Sequence, residues 1–104
     1  MREKVKIIEC PRDALQGTNK WVSTADKVSY YQALLKVGFD TLDCVSFVSP
    51  KAIPQMSDAA AVIDQLDLSD TKTKLLAIIA NTRGAKEASS HKKITYLGLS
   101  LIHI

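Results

Sequence analysis

The sequence has few cysteines and no long apolar run near its start, and each shortage excludes a class of protein. Cys10 and Cys44 are its two cysteines, which is too few for a disulfide framework, so we expect reduced thiols in a reducing compartment. The segment from Met1 to Val5 carries charges of both signs and no apolar stretch. This pattern argues against a signal peptide or a spanning helix and predicts a cytoplasmic protein.

The sequence also has little net charge, and that charge is not concentrated. The formal net charge is +3, Lys92 and Lys93 are the adjacent basic pair, and aromatic residues make up 6% of the chain. A patch that binds nucleic acid or a membrane surface needs clustered basic residues. We therefore expect neither partner. The composition, 46% hydrophobic and 24% charged, is that of an ordinary globular domain.

The apolar pattern predicts strands that alternate with helices. Strands are expected over 4–10, 39–46, 74–80 and from Ile94 to Leu97, and helices from about Thr24 to Gly38, from Ser57 or Asp58 to Leu66, and over 83–90. The stretch 11–21 is expected to be a polar loop. Ser23 followed by Asp26 resembles a capping box, and Gly38 suits a left-handed helix end. Such alternation predicts an α/β fold with a parallel sheet and right-handed crossovers.

Polar residues recur where the predicted strands end. Arg12 and Asp13 follow the first strand, Asp43 and Ser46 close the second, and Asn81 follows the third. Ligands of parallel α/β folds bind at the carboxyl ends of the strands. We therefore expect these side chains around one mouth, although periodicity alone does not identify the chemistry.

Arg12 and Asp13 place a cation beside an anion in the loop predicted after the first strand. A carboxylate can serve as one ligand of Mg²⁺, and a guanidinium can hold a developing oxyanion. The alternative is a surface ion pair, which is the more common role for such a pair in a loop.

Two motifs resemble those of the 3-hydroxy-3-methylglutaryl-CoA lyases, a family of metal-dependent TIM-barrel enzymes. The segment from Ile8 to Gln16 (IECPRDALQ) is similar to the family's first-strand signature, which a wider superfamily shares. The segment from Ser46 to Met56 (SFVSPKAIPQM) is similar to its second-strand loop and is more specific. The resemblance runs from about Val5 to Gly98. It implies a partial (β/α)₈ TIM barrel that comprises the first three βα units and part of strand four.

The resemblance also implies roles for individual residues. The family's catalytic arginine falls on Arg12, its first metal ligand on Asp13, and a loop-ordering, pocket-forming glutamine on Gln16. Asp43 stands where the family has a catalytic glutamate; the shorter side chain leaves open whether Asp43 is catalytic or supports Arg12. Ala14 replaces a usual glycine, which would strain the loop only if that position needed a positive φ.

Two further residues match positions near the family's substrate pocket. Ser46 and Asn81 are substrate-binding candidates, but Ser46 could instead satisfy backbone groups at a strand end and Asn81 could cap a helix. The family's two metal-binding histidines, a further asparagine and a loop cysteine lie beyond this stretch. The resemblance implies cleavage of 3-hydroxy-3-methylglutaryl-CoA with Mg²⁺ or Mn²⁺, a place in leucine degradation, an acyl-CoA substrate and a homodimeric parent. This chain by itself is expected to be inactive.

The last six residues, 99–104 (LSLIHI), depart from the family pattern. They can be encoded by CTG TCT CTT ATA CAC ATC, which resembles a transposon-end sequencing adapter, so residues 1–98 are expected to be the native domain and 99–104 a non-native tail. The alternative is an ordinary apolar fourth strand. Two other functions also stay open: a related aldolase or acyl-transferring synthase of the same superfamily, and a small non-catalytic α/β interaction module.

Overall fold

A computed structural model describes residues 5–100. The fold is a four-stranded parallel sheet, ordered β1-β2-β3-β4, with helices between the strands. This arrangement confirms the predicted α/β class and the alternation of strands and helices. The strands are β1 (Ile8–Glu9), β2 (Thr41–Ser46), β3 (Lys74–Ile79) and β4 (Ile94–Leu99), and the helices are α1 (Pro11–Gln16), α2 (Thr24–Leu35), α3 (Ala59–Gln65) and α4 (Thr82–Ser89).

The stretch after β1 is a helix and not the predicted loop. Pro11 occupies the first turn of α1, where its fixed φ suits a helix and its missing N–H costs nothing. Ala14, Leu15 and Gln16 are good helix formers, and Leu15 is buried against the core. Because Ala14 is helical and no described residue other than glycine has a positive φ, the replacement of the usual glycine introduces no strain.

Several predicted element ends are confirmed, and others are shifted. Ser23 caps α2 by accepting a hydrogen bond from the backbone N–H of Asp26. Gly38 has the expected positive φ, +92°, but α2 ends earlier, at Leu35, with Lys36 as its C-cap. Asp58 precedes α3 as predicted, but its side chain makes no capping bond. The strand β1 is shorter than the predicted 4–10, whose first residue lies outside the described residues, and β4 extends two residues beyond the predicted end.

The hydrophobic core lies between the sheet and the helices. The strand β2 is buried along its whole length, and the second residue of β3, Leu75, is fully covered. Tyr31 and Leu35 of α2 and Val62 and Ile63 of α3 belong to the same buried apolar cluster as the strand residues. The strand ends, and with them the candidate site, are therefore held by a packed α/β layer.

Candidate active site

Arg12 and Asp43 form a two-point ion pair. The Nε of Arg12 lies 2.7 Å from Oδ1 of Asp43, and Nη2 lies 3.0 Å from Oδ2. Their side chains are 15% and 10% exposed, so Arg12 pairs with a partly buried carboxylate of β2 and not with its neighbour Asp13 in the surface pair that residue types alone suggest. Such two-point contacts fix the orientation of the guanidinium as well as its position.

The register of β1 and β2 brings these two residues together. Glu9 pairs with Leu42 in the parallel ladder, so Asp43 lies level with the point where the chain leaves β1 and enters α1. Arg12 is in the first turn of α1 and faces Asp43 from there. Asp43 lies within β2 and does not close it as predicted, because β2 continues to Ser46.

Gln16 completes the set of contacts around the guanidinium. Its Oε1 accepts a hydrogen bond of 2.7 Å from Nη1 of Arg12, one turn earlier in α1. The hydrogen bonds to Asp43 raise the pKa of Arg12, and the negative charge of Asp43 adds to this effect against the opposing effect of burial. The guanidinium is therefore a permanently charged, oriented group with acceptors on two sides.

Asp13 is the one metal ligand that the resemblance implies. Its side chain is exposed in the first turn of α1. Both oxygens of Asp43 are occupied by Arg12, and within residues 5–100 no group of three or more His, Cys, Asp and Glu side chains can hold a metal ion. Mg²⁺ binds six oxygen ligands at short distances and in nearly octahedral geometry. The described residues therefore do not fit a complete metal site, and Asp13 offers one carboxylate toward it.

Ser46 and Asn81 have the local contacts that the sequence allowed. The Oγ of buried Ser46 accepts a hydrogen bond from the backbone N–H of Val48. The side chain of Asn81 accepts one from Gly84 and caps α4. Neither side chain is hydrogen-bonded to Arg12, Gln16 or Asp43 in the part of the chain that the structure describes.

Cys10, which the sequence did not single out, borders the ion pair. It is exposed and immediately precedes α1. Burial of its surroundings raises the pKa of the thiol, and the negative charge of Asp43 raises it further while Arg12 lowers it. A raised pKa makes the thiol a weak nucleophile at neutral pH, so we assign Cys10 no nucleophilic role. The pKa of its thiol depends on the charges of the ion pair.

A cleft of about 310 Å³ lies beside Gln16. It separates the end of α1 from the loop that follows β2, and Trp21 and Pro54 are among its walls. A larger cavity of about 710 Å³ lies at the opposite end of the sheet, between Lys6, Gly38 and Lys74. We place the candidate site at the end of the sheet where the 310 Å³ cleft lies, because ligands of parallel sheets bind at the carboxyl ends of the strands.

The fold and the site together define a class of protein. Parallel strands in sequential order, each followed by a helix, with charged side chains at their carboxyl ends, form the beginning of a (β/α)₈ barrel. Comparison with solved structures agrees. The hydroxymethylglutaryl-CoA lyase of Bacillus subtilis has a TM-score of 0.83 at 31% identity, with 92% of this chain and 32% of that chain covered. The lyase of Acinetobacter baumannii, solved with coenzyme A and 3-methylmalate, has a TM-score of 0.82 at 32% identity, with 88% and 30% covered.

Sequence comparison identifies the family. No family model matches the chain. The mitochondrial hydroxymethylglutaryl-CoA lyase of Arabidopsis thaliana is 39% identical over 87 residues, which is 83% of this chain and 18% of that protein. The Bacillus subtilis enzyme is 37% identical over 87 residues, or 83% of this chain and 29% of that protein. The chain belongs to the hydroxymethylglutaryl-CoA lyase family and spans less than a third of the length of these relatives.

Proposed function

We propose that this chain is part of a protein that cleaves 3-hydroxy-3-methylglutaryl-CoA into acetyl-CoA and acetoacetate. The observation that carries the proposal is the guanidinium of Arg12, held by Asp43 and Gln16 at the carboxyl ends of neighbouring strands. Breaking the carbon–carbon bond of this substrate leaves negative charge on an enolate. A fixed, partly buried cation stabilises such charge without having to reorganise during the reaction.

Each predicted site residue has a role in this proposal. Arg12 stabilises the enolate, and Asp43 holds Arg12 by two hydrogen bonds, which favours a positioning role over proton transfer. Gln16 also holds Arg12, by accepting a hydrogen bond from it, and it borders the cleft where substrate would lie. Ser46 and Asn81 stay substrate-binding proposals that rest on the resemblance alone, because their observed bonds are local.

A divalent cation, Mg²⁺ or Mn²⁺, is expected in the whole protein, with Asp13 as one of its ligands. When bound, such a cation supplies Lewis-acid polarisation. Because the described residues offer it a single carboxylate, the 104-residue chain should neither bind the metal tightly nor turn over. Micromolar Mg²⁺ affinity in calorimetry of this polypeptide, or any lyase turnover by it, would contradict this part of the proposal.

The remaining proposals concern the protein outside this stretch. We expect a homodimer that acts on an acyl-CoA, contributes to leucine degradation and has no nucleic acid or membrane partner. Within residues 5–100 no helix is both long and apolar enough to cross a membrane. The cytoplasm is the proposed compartment, although the Arabidopsis relative is mitochondrial by name.

Residues 1–98 are proposed to be native sequence and residues 99–104 a tail read from adapter DNA. Leu99 of β4 pairs with Ile79 of β3. The backbone N–H of Ser100 donates to the carbonyl of Ile79. Residues 101–104, which include His103, lie outside the described residues. An overlapping DNA read tests the proposal, since native codons for Leu99 and Ser100 that continue into an open frame would refute it.

The extended reading frame also tests the function. We expect its product to release acetyl-CoA and acetoacetate from 3-hydroxy-3-methylglutaryl-CoA, with a requirement for a divalent cation. Arg12→Met should lower kcat by about 100-fold or more, whereas Arg83→Met, a change at an exposed position of α4, should not. A product that performs only an aldol or acyl-transfer reaction, or a frame that stops near Ile104, would overturn the proposal.

A further inference from the structure

Lys27 is a buried ammonium group outside the ion pair described above. Lys27 is 1% exposed. The Nζ donates to the backbone carbonyl of Gln55 and to Oδ1 of Asp58 at 2.7 Å, and it lies 3.9 Å from the centre of the Trp21 ring. Burying a charge is costly unless partners compensate for the lost water. Lys27 has a carbonyl, a carboxylate and an aromatic face as partners.

The partners of Lys27 also join two segments that are far apart in sequence. The side chain of Gln55 accepts a hydrogen bond of 3.0 Å from the backbone N–H of Val22 and donates one of 2.8 Å to the carbonyl of Lys20. Asp58 accepts a further bond of 2.6 Å from the hydroxyl of Thr24. We call Lys27, Gln55 and Asp58 the Lys27 clamp, since together they tie residues 20–27 to residues 55–58.

The clamp joins the two walls of the cleft at the candidate site. Trp21 belongs to one wall and Gln55 to the other, and Gln16, which holds Arg12, lines the same cleft. Release of the clamp would let the two walls separate. The hydrogen bond from Arg12 to Gln16 would then be weakened, because Gln16 lines the same cleft. No other described hydrogen bond between side chains joins residues 20–27 to residues 55–58.

We propose that Lys27 is a positioning residue for the candidate active site, acting through Gln55 on the cleft lined by Gln16, the side chain that accepts a hydrogen bond from Arg12. This inference rests on the proposed function, because the site has no other assigned use. A buried ion pair is weak evidence for stability, since well-packed apolar residues often replace one without loss. Placement of the cleft walls is a better account of why this lysine is buried beside the site.

Cys10 provides a test that needs no turnover. It is exposed and borders Arg12 and Asp43, while Cys44 is buried, so a disulfide reagent should label Cys10 alone in the folded chain. The rate of labelling against pH reports the charge environment of the ion pair. We would measure this profile in the 104-residue chain at low concentration, locate the label by mass spectrometry, and verify folding by circular dichroism.

Two variants remove the clamp in different ways, and a third serves as a control. Lys27→Met removes the ammonium, and Gln55→Met removes both side-chain bonds without changing the net charge. Lys36→Met removes a positive charge at the exposed end of α2. Movement of Arg12 away from Cys10 removes the charge that lowers the pKa of its thiol. We therefore expect the first two variants to slow labelling near neutral pH by about threefold or more, and the control to keep the parent profile.

Each outcome bears on the inference. An unchanged Cys10 profile in folded Lys27→Met overturns it, whether or not the whole protein proves to be a lyase. If Lys27→Met does not fold, Gln55→Met decides in its place by the same criterion. A change in Lys27→Met without one in Gln55→Met overturns the inference as stated, because the effect would then not pass through the Gln55 side chain. An equal change in Lys36→Met overturns the inference, since the effect would then follow net charge alone.

Discussion

At the scale of single residues, the chemistry of this chain depends on what surrounds each charged group. Arg12 and Asp13 are adjacent in sequence, yet one is held in a partly buried ion pair and the other is exposed. Asp43 lies 31 residues beyond Arg12, and the pair exists because parallel pairing of β1 with β2 makes them neighbours. A guanidinium that is held by acceptors on two sides can stabilise charge in a way that a freely moving surface arginine cannot.

Buried acidic groups should make the chain less stable at alkaline pH. Burial raises the pKa of the Cys44 thiol to about 12 from its ordinary 9.0, and burial also raises the pKa of the Tyr31 hydroxyl. The folded state keeps protons that the unfolded state releases. Stability is therefore complete below about pH 9 and falls as the pH rises toward 12, by up to about 1.4 kcal/mol per pH unit for one thiol.

Urea unfolding at several pH values between neutral and alkaline, under reducing conditions, measures this slope. Cys44→Ala should give a shallower decline, because the contribution of the Cys44 thiol is then removed. Parallel slopes for the parent and Cys44→Ala would show that the Cys44 thiol does not titrate as described.

At the scale of elements, helix ends are stabilised by groups both near and far in sequence. Ser23 and Asn81 cap the helices that they precede, and such caps can be read from a few neighbouring residues. The carboxyl end of α3 is different, because Lys93, which lies about thirty residues away, supplies its hydrogen bonds. Only the packed structure shows that contribution.

Loss of Lys93 should destabilise the chain through α3. Its Nζ donates to the backbone carbonyls of Ile63, Asp64 and Leu66 at 3.2, 2.9 and 2.7 Å. A cation at these carbonyls satisfies acceptors that the helix leaves open and interacts favourably with the helix dipole. We expect Lys93→Met to lower the free energy of unfolding by about 2 kcal/mol in urea titrations. Lys92→Met, at an exposed neighbouring position, should change it little, and equal effects of the two would contradict the capping role.

A close backbone contact makes Gly84 intolerant of a side chain. A Cβ at this position would lie 2.7 Å from the carbonyl oxygen of Phe47, and a backbone oxygen cannot rotate away. Gly84→Ala should therefore cost about 1 to 3 kcal/mol, although alanine is the better helix former. Gly17→Ala is the matched control, because its nearest contact would be 3.6 Å, and it should be neutral or slightly stabilising. Thermal unfolding that ranks the two variants in the opposite order would contradict this prediction.

At the scale of the whole molecule, the sheet ends in two edge strands, β1 and β4. Large apolar side chains are exposed on both: Ile8 is 52% exposed, Leu97 42% and Leu99 64%. In relatives whose length is more than three times the matched stretch, further chain is available to cover such edges. Within residues 5–100 the outer edges of β1 and β4 have no neighbouring strand and lie beside apolar surface, which favours association.

We expect the 104-residue chain to associate as its concentration rises. Sedimentation velocity from low to high micromolar concentration should show growth in mass, and Leu97→Lys combined with Leu99→Lys should reduce it, because charge on an edge opposes strand pairing. Val37→Lys, at an exposed position in the turn after α2, should have little effect. A chain that stays monomeric throughout this range would refute the prediction.

The sequence alone was enough to predict the features that depend on a few neighbouring residues or on the family motifs. It predicted the alternation of strands and helices, the start of α2 at Ser23, the left-handed Gly38 and the family. The prediction of a loop over 11–16 was wrong, although its residues favour a helix locally. The contacts of Asp43 with Arg12 and of Lys27 with Gln55 could be seen only in the folded chain. Helix caps and turns are set by local backbone chemistry, whereas these contacts join residues about thirty positions apart and require the strand register and the packed layer to exist first.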